Sequence, residues 1–477
     1  MKRYFKFILA TFFVVQFTSC DKFLDVNTDP VNPAHAPYEM VLAPAVASTA
    51  TVVGGQFAIL GCLWSQHFTQ SNTANQYKTI DGYRLTSSDF NTSFDELYSG
   101  ALNDYKTVIN EAEAVQDWNT YLMAVTMQSY TYEILVDLYG KIPFTESLNG
   151  TEGNISPKYD ESDVVYDGLI SRIDNALSKD FSASTNKLIG TKDLVFAGNM
   201  DNWKRFANTL KLKIYLRQVN IRPTVAQAGI ASLYSAGANF LTTSAKINPF
   251  LAEVKKQNPL YGSEVEYLGN SNLRASKTLF DYLAANSDTR LDKIYTPGSG
   301  GHKALAQGDY LALSTVYPNG SLSSGRFSAT DPVYFISLSE SNFLQAEALV
   351  RYPSLGGDAK AKYDDGVISA FTRLGLATGA TFVTSGAVYD FTTATTPEKK
   401  IEAIITQKWI ASAIAEPIEG FFDFNRTGYP SFFTVSVNSA IGGKFPQRLL
   451  FPSDERSRNP NTPTQINIDV KVWWAKQ

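Results

Sequence analysis

The chain has 477 residues with 42 basic and 46 acidic side chains, so its net charge is −4. That balance argues against a nucleic-acid-binding protein, which presents a basic surface. A hydrophobic content of 44% is enough for a large core, and two cysteines exclude a disulfide framework. The length allows about two or three domains, or one large fold.

The first twenty residues have the pattern of a secretory signal. Three basic residues within the first six positions precede a mostly apolar run from Phe7 to Phe17. The run is shorter than the about 20 apolar residues that a membrane-spanning helix needs. Cys20 follows it directly after two small residues, which is typical of bacterial lipoproteins. We predict that residues 1–19 are removed and that Cys20 is the lipidation site. The alternative is an ordinary signal peptide with a chance cysteine.

Two segments of unusual composition come next. Residues 20–39 are rich in Asp and Pro and lack periodic apolar positions, so they are predicted to form a lipidated tether. Met40 to Tyr77 contains no Asp, Glu, Lys or Arg. It is also rich in Ala, Thr, Ser and Gly, which makes its hydropathy low for a membrane span. We interpret it as buried or amphipathic helix, and a membrane span is the alternative.

Apolar residues at helical spacing predict the long helices. Two of these helices also carry a start signal, Ser162 in one and Thr395–Glu398 in the other. The predicted helices span Tyr121–Tyr139, Ser162–Leu177, Trp203–Ile214, Val333–Arg351 and the segment from Thr396 to Trp409.

Between the helices lie long segments rich in Gly, Ser, Thr, Pro and Asn. They span Pro297–Pro332, Leu376–Thr396 and Pro452–Asn467. Strand alternation is scarce. The predicted class is therefore mainly α, built from tetratricopeptide-like helix pairs with long ligand-facing loops, although no repeat of about 34 residues is evident.

Residues with catalytic or metal-binding spacing are few. Three histidines lie far apart, and no HExxH or GxSxG motif occurs. Cys62 lies inside the apolar segment, which favours a core position over a nucleophile. We predict no metal site, no cofactor and no enzymatic activity.

One pair of carboxylates could have either a catalytic or a structural role. Glu340 and Glu347 are seven residues apart on one helical face, a pattern that a surface glycoside hydrolase could use. Arg351 lies four residues after Glu347, where an ion pair can form. We favour a structural role for the pair and keep the hydrolase as the alternative.

Capture of a sugar or peptide needs aromatic faces beside amides and hydroxyls. The segment from residue 64 to residue 83 supplies these types in a largely uncharged context, and the Gly/Ser-rich loop supplies a second group. For each aromatic ring, core packing is the alternative role. The predicted ligand-binding residues are Trp64, Gln66, His67, Asn72, Tyr77, Tyr83, Tyr310 and Asn319.

Several segments together resemble the SusD/RagB family of outer-membrane lipoproteins of Bacteroidetes-type bacteria, in its SusD-like branch. The N-terminal CDKFLDVNTDPVNP (20–33) carries much of this resemblance. The other matching segments are VDLYGKIPFT (136–145), WKRFANTLKLKIYLR (203–217), SDTRL (287–291), ESNFLQAEA (340–348), QKW (407–409), FNRTGYP (424–430), PQRLLFP (446–452) and WW (473–474). They follow the family's order over nearly the whole chain.

The resemblance implies a helical SusD-like nutrient-binding domain over residues 40–477. It implies a non-catalytic protein, lipid-anchored in the outer membrane and exposed at the cell surface. Such a protein binds a nutrient, commonly a glycan or oligosaccharide, and serves as the lid of a SusC-like TonB-dependent transporter. A structural transporter subunit without its own ligand is a further alternative. Within the matching motifs, the predicted scaffold residues are Asn208, Glu340, Glu347 and Arg426.

Overall fold

The structure is a computed structural model that describes residues 36–476. The signal segment 1–19, the lipidation site Cys20 and the tether up to residue 35 lie outside the described residues, so these assignments stay predictions. Tyr38 and Glu39, assigned above to the tether, belong to the first turn of a helix.

Helices account for most of the regular structure between residues 36 and 476. Those of nine residues or more are α1 (Tyr38–Val53), α2 (Gln56–Trp64), α3 (Asn103–Ala114), α4 (Trp118–Tyr139), α5 (Ser162–Leu177), α6 (Met200–Arg217), α7 (Pro223–Ser235), α8 (Lys277–Ala285), α9 (Leu338–Arg351), α10 (Ala359–Arg373), α11 (Pro397–Ser412) and α12 (Pro417–Thr427). Shorter helical segments are Lys78–Asp81, Asn91–Asp95, Glu96–Leu102, Gly150–Glu152, Gly190–Lys192, Pro259–Tyr261, Gly262–Tyr267, Leu291–Ile294, Pro353–Leu355, Gly379–Val383, Phe391–Thr393 and Ser453–Arg458.

The strands are short. They are β1 (Phe68–Gln70), β2 (Ile142–Pro143), β3 (Tyr159–Asp160), β4 (Ala245–Ile247), β5 (Leu273–Ala275), β6 (Tyr295–Thr296), β7 (Ser324–Gly325) and β8 (Val333–Ile336). Four of them form one sheet in the order β1-β5-β7-β6, with Phe68 opposite Ala275. The other two sheets pair β2 with β3 and β4 with β8.

Consecutive helices pack against each other as pairs: α3 with α4, α6 with α7, α9 with α10, and α11 with α12. Helix α9 joins two hydrophobic clusters, because Phe343 packs with the α10 and α11 side and Leu344 with the α6 and α7 side. The prediction of a mainly α fold with helix pairs and long loops is confirmed.

Capping side chains explain where several helices begin. Thr396 accepts a hydrogen bond from the Lys399 amide, as the predicted start signal of α11 requires. Asp117 and Asn199 cap α4 and α6 in the same way. Ser162 does not cap α5, because its hydroxyl donates instead to the Gly140 carbonyl.

One predicted helix boundary is wrong. The Val333–Arg351 helix was expected to be continuous, but Val333–Ile336 forms strand β8 and α9 begins at Leu338. The first four residues are β-branched or aromatic and all are buried, which suits a strand between other elements. Ser337 then caps α9 by accepting from the Glu340 amide at 3.1 Å.

The uncharged N-terminal segment lies inside the fold. By length and composition alone, Tyr38–Trp64 could cross a membrane, yet 78% of its most apolar window is buried against other parts of the protein. It is divided at Gly54 and Gly55 into α1 and α2. The Thr49 hydroxyl lies 3.0 Å from that of Tyr105 within the core. These contacts support the interpretation as buried helix.

Candidate functional site

The two predicted groups of ligand-binding residues meet in space. Asn72 follows β1, and its amide donates to the carbonyls of Ala312 and Tyr317 at 3.2 and 3.0 Å. The Thr73 hydroxyl donates to the Asn319 side-chain oxygen at 3.3 Å. We call this contact between residues 70–77 and 309–319 the loop junction. It joins segments about 240 positions apart, which the sequence did not indicate.

The outer edge of the loop junction is exposed. Asn319 lies at the surface and Asn72 is half-buried. Tyr317 is half-buried, with the Lys303 ammonium 4.5 Å from its ring centroid. Leu311 and Leu313 are 65% and 69% exposed. The accessible chemistry is therefore amide, hydroxyl and apolar surface without a carboxylate pair.

Four predicted aromatic residues lie beneath this edge, and their rings are covered. Trp64 packs on Phe421 with 4.9 Å between ring centroids, and its indole nitrogen donates to the Ile80 carbonyl. Burial raises the pKa of Tyr77 and of Tyr83. The Tyr310 ring is also buried, close to Gly82, where an added Cβ would lie 2.4 Å from its hydroxyl.

Gln66 and His67 bond to segments behind the loop junction that are far away in the sequence. The Gln66 amide donates to the Thr434 carbonyl at 2.7 Å and accepts from the Thr278 hydroxyl at 2.7 Å. The His67 Nε2 atom lies 2.9 Å from the Trp409 carbonyl, which requires Nε2 to donate. Burial lowers the pKa of His67 to about 3, so its ring is neutral at pH 7.

The structure places the eight predicted ligand-binding residues at different depths. Side chains of six are buried by protein neighbours, because they fill the layer between the loops and the helices. They are Trp64, Gln66, His67, Tyr77, Tyr83 and Tyr310. A direct contact between any of the eight and a ligand stays a prediction, and Asn72 and Asn319 offer the most surface for it.

A residue that sequence reasoning missed supports the junction from below. Asp81 is fully buried and accepts from the Thr69 hydroxyl at 2.7 Å and from the Gln70 amide at 2.8 Å. The Gln307 amide donates to the other carboxylate oxygen of Asp81. Asp81 therefore connects β1 to the chain just before the 309–319 segment of the loop junction. Burial raises the pKa of Asp81 to about 6 against the opposing effect of these hydrogen bonds. Its only sequence signal is a lone carboxylate next to Gly82.

The predicted scaffold residues separate into two locations. Glu347 on α9 accepts from Arg426 on α12 at 2.8 Å, and Glu340 on α9 lies 3.1 Å from Lys408 on α11. All four side chains are buried. Asn208 is elsewhere on α6, half-buried, and its amide donates to the Asn239 carbonyl at 3.2 Å.

The same network makes the two glutamates unsuitable for glycoside hydrolysis. Burial by itself raises the pKa of Glu347, but Arg426 and Arg351 outweigh this effect and lower it to about 2. The expected Glu347–Arg351 ion pair is present at 2.7 Å. Glu340 is 3% exposed and Glu347 is 1% exposed, so a polysaccharide cannot reach either carboxylate.

Between residues 36 and 476, no group of three or more His, Cys, Asp and Glu side chains is arranged to hold a metal ion. Cys62 is buried without a disulfide partner, and burial raises the pKa of its thiol.

The paired helices and the loop junction define a mainly helical protein whose candidate site is formed by loops. A sequence profile of the SusD-like family, described as "Starch-binding associating with outer membrane", matches residues 32–452. The chain belongs to this SusD-like family. None of the curated proteins matches the chain.

Solved structures with the same fold include a SusD homologue from Bacteroides uniformis, with a TM-score of 0.79 and 24% identity over 93% of this chain and 100% of that one. A SusD-like protein from Bacteroides thetaiotaomicron has a TM-score of 0.75 and 24% identity, covering 92% of this chain and 99% of that one. A chitin-binding SusD homologue from Flavobacterium johnsoniae has a TM-score of 0.78 and 20% identity, covering 92% and 98%. At these identities the likeness concerns the fold.

Proposed function

We propose that this protein is a non-catalytic cell-surface lipoprotein that binds a glycan or oligosaccharide at the loop junction and delivers it to a SusC-like TonB-dependent transporter. Membership of a family described as starch-binding and associated with the outer membrane is the observation that carries the proposal. The chitin-binding relative from Flavobacterium johnsoniae supports a carbohydrate as the ligand class.

The chemistry of the loop junction agrees with this ligand class. Sugars present hydroxyls for amides and apolar ring faces for aromatic or aliphatic side chains. At the exposed edge, Asn319 and Asn72 supply amides, Tyr317 supplies a partly open ring, and Leu311 and Leu313 supply apolar surface. The buried residues behind them would act by holding the two loops in position.

The anchor and the partner belong to the same proposal. Acylation of Cys20 with several chains would hold the protein at the membrane permanently, because each buried methylene contributes about 0.8 kcal/mol. The helical domain would then cover the mouth of the transporter as its lid. Mass spectrometry of native protein that finds an unmodified N-terminus would remove the anchor, and purification from membranes without a transporter barrel would remove the partner.

Isothermal titration of the mature protein with maltohexaose and chitohexaose tests the ligand. Asn319→Ala and Tyr317→Ala, made singly, should each weaken binding about five-fold, which corresponds to the loss of about 1 kcal/mol. The matched control is Asn175→Ala, an exposed asparagine on α5. Unchanged affinity in both variants would exclude the loop junction. Absence of binding to a wide glycan panel would favour a structural transporter subunit without its own ligand.

A further inference from the structure

A second concave surface lies on the helical side of the protein. It is a groove of 940 Å³ between the α6–α7 pair, strand β4 and the α9–α10 pair. This volume is within the about 300–1,000 Å³ of small-molecule sites. None of the eight residues predicted as ligand contacts lines it. The groove therefore needs its own explanation.

The charges that line this groove are mostly positive. Arg205, Lys246, Lys362 and Arg373 contribute cations, and Asp365 is the one carboxylate in the lining. Within residues 36–476, none of the four cations has a carboxylate oxygen within the 4.0 Å of a salt bridge. A net positive groove in a chain of net charge −4 favours an anionic ligand.

Three of the four cations are available to a ligand, whereas the Arg373 guanidinium already donates to the Ala411 and Ala413 carbonyls. Lys246 and Lys362 are half-buried, and their ammonium groups donate no hydrogen bond to any described residue. Lys246 lies 5.5 Å from the centroid of the Tyr334 ring. Arg205 donates once, to the Phe240 carbonyl at 3.2 Å. Each of these side chains therefore retains donors for a carboxylate or sulfate oxygen.

Neutral groups in the groove are also unpartnered. The Asn342 side-chain amide on α9 lines the groove and has no hydrogen-bond partner among residues 36–476. The residue is 6% exposed, and its amide atoms remain accessible to solvent, so a ligand hydroxyl can reach them. The Tyr234 hydroxyl, on the opposite wall, is buried without a partner. Amides and hydroxyls of this kind match the hydroxyl groups of a sugar.

The groove continues beyond the segment at Ala238 and Asn239. A neighbouring cavity of 790 Å³ shares Arg205, Ala238 and Asn239 with it. This cavity adds two lysines, Lys204 and Lys211, and two aspartates, Asp174 and Asp201. Lys211 is paired with Asp174, whereas Lys204 stacks on the Phe181 ring at 4.3 Å. Two adjoining cavities suit an extended ligand better than a single small ion.

We propose that this groove is a second binding site, for an acidic oligosaccharide that carries carboxylate or sulfate groups. The proposal rests on the proposed glycan-binding function and extends it to a charged ligand class at a site separate from the loop junction. Lys246 and Lys362 would bind the acidic groups, and Asn342 would bind a sugar hydroxyl.

The test is isothermal titration of the full mature chain with tetragalacturonate, with a sulfated tetrasaccharide and with hexaglutamate. The double variant Lys246→Gln/Lys362→Gln should weaken binding of at least one acidic sugar about ten-fold or more, because two charge-assisted contacts are removed. Its thermal unfolding should change little, since neither ammonium group forms a salt bridge or a hydrogen bond with a described residue. Lys471→Gln, an exposed lysine outside the groove, is the matched control and should bind as the parent does. Asn342→Ala should weaken binding about five-fold without changing the charge.

Three results would overturn the proposal. The first is that neither acidic sugar binds, and the second is that the parent and the double variant bind equally well. The third is that hexaglutamate binds as tightly as the sugars, which would assign the groove to an acidic peptide. The comparison of parent and variant with the same sugar cancels any binding at the loop junction. If the groove proposal is refuted but Asn319→Ala still weakens binding of a neutral glycan, the proposed function at the loop junction remains supported. The two proposals are therefore tested separately.

Discussion

His67 provides a sharp test of the buried layer beneath the loop junction. Its ring is fully buried, stacks on Trp409 with 5.6 Å between centroids, and has no partner at Nδ1. Burial lowers its pKa from 6.5 to about 3. Between these two values the unfolded chain binds more protons than the folded one, so acidification lowers stability. At pH 5 the loss attributable to this residue is about 2 kcal/mol relative to pH 7.

The perturbation is His67→Gln, whose amide can still donate to the Trp409 carbonyl but does not titrate. Urea unfolding of parent and variant at pH 7 and pH 5 gives the difference directly, and the other titrating groups cancel in it. The parent should lose about 2 kcal/mol more than the variant. NMR titration of the ring is a second measurement, aided by a total of three histidines in the chain. Equal losses, or a ring that titrates near pH 6.5, would show that His67 is open to solvent as a ligand contact must be.

Three further substitutions test the scaffold and the loops. Arg426→Met should lower the free energy of unfolding by about 3–5 kcal/mol, because it breaks two buried ion pairs and leaves Glu347 with Arg351 alone and Asp423 with Lys408 alone. Lys256→Met at an exposed pair should change it little. Gly61→Ala places a Cβ 2.2 Å from the Ile418 backbone nitrogen and should cost about 1–3 kcal/mol or more in denaturant unfolding. Gly443→Ala, with no atom within 4 Å, should be neutral. Asn72→Ala removes two hydrogen bonds to the second loop and should speed amide exchange in residues 309–319 about ten-fold, and unchanged exchange would show that Asn72 does not hold this loop.

Helical periodicity was sufficient to predict most of the long helices. Ser162–Leu177 has the predicted bounds, and Trp203–Ile214 lies within Met200–Arg217. The error at Val333–Ile336 arose because a buried strand and a buried helix can both read as continuous apolar runs. A partner strand 80 or more residues away, here Ala245–Ile247, decides between them, and local sequence does not contain that information.

The candidate site was less predictable than the fold. Residue chemistry selected the two segments that form the loop junction, but it did not distinguish exposed side chains from the layer beneath them. Trp64 packs on Phe421 and His67 packs on Trp409, and both partners are more than 340 positions away in the sequence. The groove was missed because its cations come from α6, β4 and α10, which are far apart in sequence.

The kinds of contact explain this difference between scaffold and site. Charges buried among helices require specific partners, as Glu347 requires Arg426, so the scaffold residues stand out within otherwise apolar motifs. The loop junction is held by side chains that donate to backbone carbonyls, as Asn72 does to Ala312 and Tyr317. A carbonyl is present whatever the residue, so the partner loop can change its exposed side chains without losing the contact. Under the proposed function, ligand identity would therefore depend on exposed groups such as Asn319, and the helical motifs carry little information about it.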